Sequence, residues 1–309
     1  MATAFSVDCT TKGNCEQWYV GTILSTAAYG VVLFLSFACA INFSRALLKA
    51  PARPGDTDLL PNPVARRMKK LLLAFLVAMF LLSTFSVITA GFRARLLFVR
   101  HESSRVAVLE RFVVCAEACT LVVANWAAGL SMMWRCLVVY SGSSQSIQTN
   151  LTLFLALLSL VSLGSGIFYI IAAFRGLNVF MIAFSFITAT INITITILIV
   201  ARLSFHQRYI QKTLGKHHGS PYGRLQCIVT ESAMLIVVFN VAHGVIAWKQ
   251  KDKYVLVLPH QLLVHIYVIS ALLVLYLFKV VHALRYARRA RGARDGQRIF
   301  PSSGRPKPF

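Results

Sequence analysis

Long apolar runs, each about the length of a membrane crossing, alternate with short polar segments along the chain. A hydrocarbon core of about 30 Å needs about 20 helical residues. Seven runs meet that length: 19–41, 71–92, 113–140, 150–173, 178–203, 225–248 and 257–282. The fifth holds the β-branched stretch ITATINITITILIV. A lone strand in lipid would leave its backbone unpaired, so a helix is expected there too. The pattern predicts an all-α membrane protein, a seven-transmembrane helix bundle over residues 19–282. An N-terminal tail, 1–18, precedes it, and a basic tail without apolar periodicity, 283–309, follows it.

Charge sets the expected direction. With the N-terminus outside, the inner segments 42–70, 141–149, 202–224 and 283–309 hold 7, 0, 5 and 8 Lys and Arg. The outer segments 1–18, 93–112, 174–177 and 249–256 hold 1, 5, 1 and 3. This twofold excess predicts an outer N-terminus and an inner C-terminus. The same distribution accounts for the net charge of +22 without nucleic acid, for which no motif is present. A multi-pass protein of the plasma membrane is the expected setting. The bilayer is its first partner, and anionic inner-leaflet lipid is a candidate partner for the basic C-terminal tail. At 57% hydrophobic and 14% charged residues, the composition lies far from that of soluble domains.

Ionisable residues inside spans are costly and are candidates for function. The third run carries Glu117 and Arg135, 18 residues apart. Five helical turns separate them, so they share a face while lying about 27 Å apart along the axis. Leu121, Ala124, Ala128 and Ser131 fall between them on that face. Arg135 is expected near the inner end, at a depth that Glu231 of the sixth run and Arg202 of the fifth also reach. Arg135, Glu231 and Arg202 therefore form a candidate inner charge switch, with Arg135 held by Glu231 at rest. Snorkelling of Arg135 to the interface is the alternative.

The outer half carries a second polar set, a candidate outer pocket: Glu117, Asn125, Trp126, Asn192, Asn240, His243, His260 and His265. Ser185, Thr188 and Thr196 continue the Asn192 stripe at helical spacing. Interhelical hydrogen bonding explains such a stripe equally well. On helical geometry His260 and His265 lie about 140° apart, so the histidines do not form one evident site. Cys9 and Cys15 precede the first run and are candidates for a disulfide with each other or with Cys115; free thiols are the alternative. No HxxxH, HExxH or CxxC spacing supports a metal or cofactor, and Lys279 lies too near the inner end of its run for a retinal-binding lysine. Nothing supports an enzyme.

The segments AYGVVLFLSFACAINF, FLVAMFLLSTF, ANWAAGLSMMWRCLVVY, TATINITITILIVARL and YGRLQCIVTESAMLIVV occur in that order in runs one, two, three, five and six. Together they resemble the uncharacterised seven-helix, receptor-like membrane proteins of mushroom-forming fungi, over roughly residues 19–280. The resemblance implies roles for Arg135-Cys136, for Asn192 with Arg202, and for Glu231-Ser232. This chain departs from the family pattern at Ala127, Ala128 and Gly129, where an acidic residue often stands. It also lacks an Asp-Arg-Tyr at the third inner end and a Cys in 174–177. The leading expectation is a receptor resembling G-protein-coupled receptors, switching through spans three and six toward a cytoplasmic signalling protein such as a G protein. The rival expectations are a proton-coupled transporter or carrier using Glu117 and the histidines, and a non-catalytic structural membrane protein. The absence of an internal repeat counts against an inverted-repeat carrier.

Overall fold

The computed structural model describes residues 12–48, 63–98, 104–175, 178–214, 220–249 and 260–273. These are helical apart from one short turn. The helices are α1 (Lys12–Leu48), α2 (Pro63–Phe98), α3 (Ser104–Tyr140), α4 (Gln145–Arg175), α5 (Asn178–Leu214) and α6 (Ser220–Lys249), followed by α7 (His260–Leu273). Among the described residues, α1 to α6 are long and apolar enough to cross a membrane. The seventh expected span is described only as α7, which is too short within those bounds to cross. The rest of 257–282, Lys279 included, lies outside the described residues, as do Cys9, the first inner loop over 49–62 and the tail 283–309.

The surface explains why these sequences stay helical and where they sit. Leu153, Leu157, Leu160 and Phe168 of α4 are exposed, and so are Phe34 and Phe37 of α1. An apolar surface of this extent requires lipid. Only 17% of the α4 span is buried inside the protein, against 50% for α3, so α4 is peripheral and α3 central. On α5, the hydroxyls of Thr190 and Thr194 donate to the carbonyls of Phe186 and Thr190, both at 2.8 Å. These back-bonds leave no polar group of the β-branched run open to the acyl chains.

Consecutive helices run in opposite directions, as their cross-contacts show. Tyr29 and Thr84, near the middles of α1 and α2, meet at 3.0 Å, while Ser185 early in α5 meets His243 late in α6 and Ser204 late in α5 meets Gln226 early in α6. Trp126 of α3 donates to the Ser162 carbonyl of α4 at 3.1 Å. The α3–α4 connection is a tight turn. There the Gln148 amide donates to the Tyr140 and Ser141 carbonyls at 3.2 and 2.7 Å, closing the end of α3. Gly166 brings α4 against α3: a Cβ there would lie 2.7 Å from Val122 Cγ1 and 2.9 Å from the Trp126 ring. Small residues at crossings permit such approach in membranes.

Two apolar clusters fill the interior. One joins side chains of all seven helices, among them Val32, Met79, Leu121, Tyr169, Phe184, Ile236 and Leu263. The other, with Met132, Leu155, Ile195, Leu203 and Val229, lies between α3, α4, α5 and α6 at the opposite end from the start of α1. Leu263, Tyr267, Val268 and Leu272 of α7 are completely buried although they point in different directions. That marks α7 as an internal helix surrounded by the others.

Candidate functional site

The described residues of the expected second outer segment, 93–112, are helical. α2 continues to Phe98 and α3 begins at Ser104. Arg93 consequently enters the bundle. Its Nη1 donates to Glu117 Oε2 at 2.6 Å, and the two side chains are 3% and 7% exposed. It is the one ion pair among the described residues with both partners buried in the span region. A buried charge survives in such a place when an opposite charge and good geometry meet it. Reading Arg93 as an outer-loop charge missed this. A signal was present: Ser83, Ser86, Ala90 and Arg93 recur at helical spacing, and all four are buried.

Glu117 lies where α2, α3 and the start of α7 converge. Its second oxygen, Oε1, is buried without a hydrogen-bond partner, as are both polar atoms of the Gln261 side chain. Glu117, Gln261, His260 and Ser86 line a small, partly open cavity completed by Ala90 and Val264. It is just large enough for a water molecule.

The histidines divide between two places. His260 Nδ1 lies 2.9 Å from the Tyr169 hydroxyl of α4. Its ring centroid is 6.1 Å from that of His243 on α6. His243 Nδ1 is 2.7 Å from the Ser185 hydroxyl of α5, while its buried Nε2 has no hydrogen-bond partner. His265 faces elsewhere. Its two ring nitrogens lie 2.9 Å from Ser25 of α1 and 2.7 Å from Ser83 of α2, which ties both helices to α7. The 140° separation of His260 and His265 thus sends them to different clusters, while two different helices bring His243 and His260 together.

The rest of the expected outer pocket serves helix packing. The Asn125 amide donates to Thr188 Oγ1 at 3.4 Å, joining α3 to α5. Trp126 points to α4. Asn192 and Thr196 return to carbonyls of their own helix. Asn240 accepts from the Tyr267 hydroxyl at 2.7 Å, joining α6 to α7. Of the expected pocket, Glu117 and His260 line the cavity with Ser86 and Gln261, while His243 and Tyr169 adjoin His260 and Arg93 pairs with Glu117.

The inner charge switch takes a different form from the one expected. Arg135 does not meet Glu231. Its Nη1 donates to Met132 Sδ and its Nη2 to the Ala271 carbonyl of α7, both at 3.4 Å. Glu231 is exposed on the far side of α6 and accepts from the Cys227 thiol at 3.3 Å. Arg202 donates to Ser143 Oγ at 2.8 Å and covers the Tyr140 ring, 5.2 Å from its centroid. The sequence fixes the depth of Glu231 but not its rotation about the α6 axis. It is Ser232, one residue on, that faces inward, and its carbonyl accepts from Ser270 of α7 at 2.8 Å. Of the cysteines, Cys115 is a free thiol whose Sγ is 3.9 Å from that of Cys119. The Cys9–Cys15 pairing cannot be placed, because Cys9 lies outside the described residues.

The apolar helices of the described residues and their lipid-exposed surface define a multi-pass integral membrane protein. No family model, curated protein or solved structure matches the chain. Its function must therefore be argued from its own residues.

Proposed function

We propose that the protein is a seven-helix membrane receptor of the receptor-like kind it resembles in mushroom-forming fungi. A ligand would bind at the Arg93–Glu117–Gln261 cluster, and α7 would carry the signal. One observation supports this reading above the others: α7 touches polar groups at both ends of its described length. Gln261 and His260 stand at the cluster, and the Ala271 carbonyl is held by Arg135 near the opposite end of α3. Ten residues separate Gln261 from Ala271, about 15 Å of helix. A rigid element biased at both ends is what coupling between two sites requires. The cluster end would be extracellular and the Arg135 end would face a cytoplasmic G protein, in keeping with the excess of positive charge on the expected inner segments.

The test is nucleotide turnover by a panel of Gα subunits in plasma membranes carrying matched amounts of wild type, Arg135→Ala and Glu231→Gln. Arg135→Ala changes basal turnover, because it frees α7 from α3. Glu231→Gln leaves it unchanged, because that carboxylate faces away from the bundle. Absence of coupling to every Gα, in wild type and Arg135→Ala alike, overturns the reading.

A proton-coupled carrier is the second reading. The run Ser185–His243–His260–Tyr169 favours it, since these groups adjoin one another beside a buried carboxylate. Proton flux into vesicles that disappears with His243→Phe would replace the first reading with this one.

A further inference from the structure

The cavity at the head of α7 has a recognisable chemical complement. Glu117 forms an ion pair with Arg93 through Oε2, which leaves the unpartnered Oε1 as a hydrogen-bond acceptor. Gln261 Nε2 is buried, unpartnered and a donor. An occupant of the cavity donates to Glu117 Oε1, while the Gln261 amide, with Nε2 and Oε1 both unpartnered, can donate to it in turn.

Charge narrows the choice. Arg93 and Glu117 form a buried ion pair beside the cavity. An incoming cation would add an uncompensated charge beside the Arg93 guanidinium, and an anion would add one beside the Glu117 carboxylate. Either is expensive away from bulk water. Size narrows it again, because the cavity admits a group no larger than one water molecule. Ala90 and Val264 supply apolar walls beside the polar atoms.

We propose that this cavity is a recognition site for a single uncharged hydroxyl group, which donates to Glu117 Oε1 and accepts from Gln261 Nε2. The hydroxyl comes either from a trapped water or from the alcohol end of a ligand whose carbon chain leaves along Ala90 and Val264. This rests on the same cluster as the receptor reading and names the chemistry it selects. It explains why two buried polar side chains face a space that neither fills, an arrangement that costs stability when empty.

The test uses the purified full-length chain in lipid nanodiscs, and no G protein. Thermal unfolding is followed against 1-butanol, butylammonium and butyrate, for wild type and Gln261→Leu. Infrared difference spectra between the two forms are recorded in H2O and in H2-18O. A saturable rise in midpoint with butanol, absent for both charged probes and lost in Gln261→Leu, assigns the site to a ligand hydroxyl. An isotope-sensitive O–H band present in wild type and missing in Gln261→Leu, without a butanol effect, assigns it to trapped water. If Gln261→Leu does not fold, the ranking of the three probes on wild type and its isotope-sensitive band decide. Neither signal, or greater stabilisation by a charged probe than by butanol, overturns the proposal. Because nothing here depends on signalling, a working hydroxyl site without G-protein coupling would remove the receptor reading alone.

Discussion

The guanidinium of Arg93 and the carboxylate of Glu117 meet at 2.6 Å with almost no exposure to solvent, and so clamp the last turns of α2 to the first half of α3. Removing one partner takes away the buried ion pair that compensates the other charge. Arg93→Gln and Glu117→Gln should each destabilise the protein by about 3–5 kcal/mol. Replacing both, as Arg93→Met with Glu117→Leu, should recover most of that loss, because an apolar pair of similar volume carries no desolvation cost. Reversible unfolding of the four forms in one lipid composition gives the cycle. Additive losses in the double variant would mean that the two charges are not coupled.

The anchoring of α7 makes a second prediction. His265 binds Ser25 and Ser83 through its two ring nitrogens. Polar contacts between membrane helices contribute modestly, about 0.6 kcal/mol on average. Ser83→Ala should cost about 1 kcal/mol, and His265→Leu more, since it strands both hydroxyls. Hydrogen exchange should locate the loosening in α1, α2 and α7 and leave α5 unchanged. Uniform loosening of all helices would contradict the assignment.

Apolar periodicity and length made most of the fold legible in the sequence. The β-branched run of α5 is helical, as the backbone argument requires. The shared face of Glu117, Leu121, Ala124 and Ala128 is buried as helical spacing predicts. Two things were not legible. Hydropathy ended the second span at residue 92, because Arg93 reads as a boundary charge; only its partner in another helix makes it an interior residue. Likewise, the depth of Glu231 could be estimated from span direction, but its rotation depends on which side of α6 packs against α5 and α7. Period alone cannot fix that when the helix is apolar nearly all round.

Gly166 supports a third prediction, about packing. An added Cβ would lie 2.7 Å from Val122 Cγ1 and 2.9 Å from the Trp126 ring, so Ala at this position must push α4 away from α3. Overpacking of this kind costs about 1–3 kcal/mol. It should also break the Trp126–Ser162 hydrogen bond, and so shift Trp126 fluorescence. Val122→Ala in the same chain should restore part of the lost stability by removing the shortest contact. Gly164→Ala, where an added Cβ meets nothing within 4 Å, should be nearly neutral and serves as the control.

Glu231 and Cys227 give the last prediction, which separates the observed geometry from the charge lock expected at first. Cys227 precedes the apolar span Val229–Lys249 and is exposed. Its thiol donates to the Glu231 carboxylate, and that bond together with the negative charge raises the thiol above its ordinary range. The sign follows directly. A raised value means less thiolate at neutral pH, and the thiolate is the nucleophile. Glu231→Gln removes the charge, lowers the value and should speed alkylation of Cys227 by iodoacetamide near pH 8, with the rate profile moving to lower pH. Arg135→Ala should leave that profile where it is, because Arg135 is bound to Met132 and α7. If Arg135→Ala moved the Cys227 profile as Glu231→Gln does, the two charges would be in contact after all. The arginine would then be holding α6 and not α7.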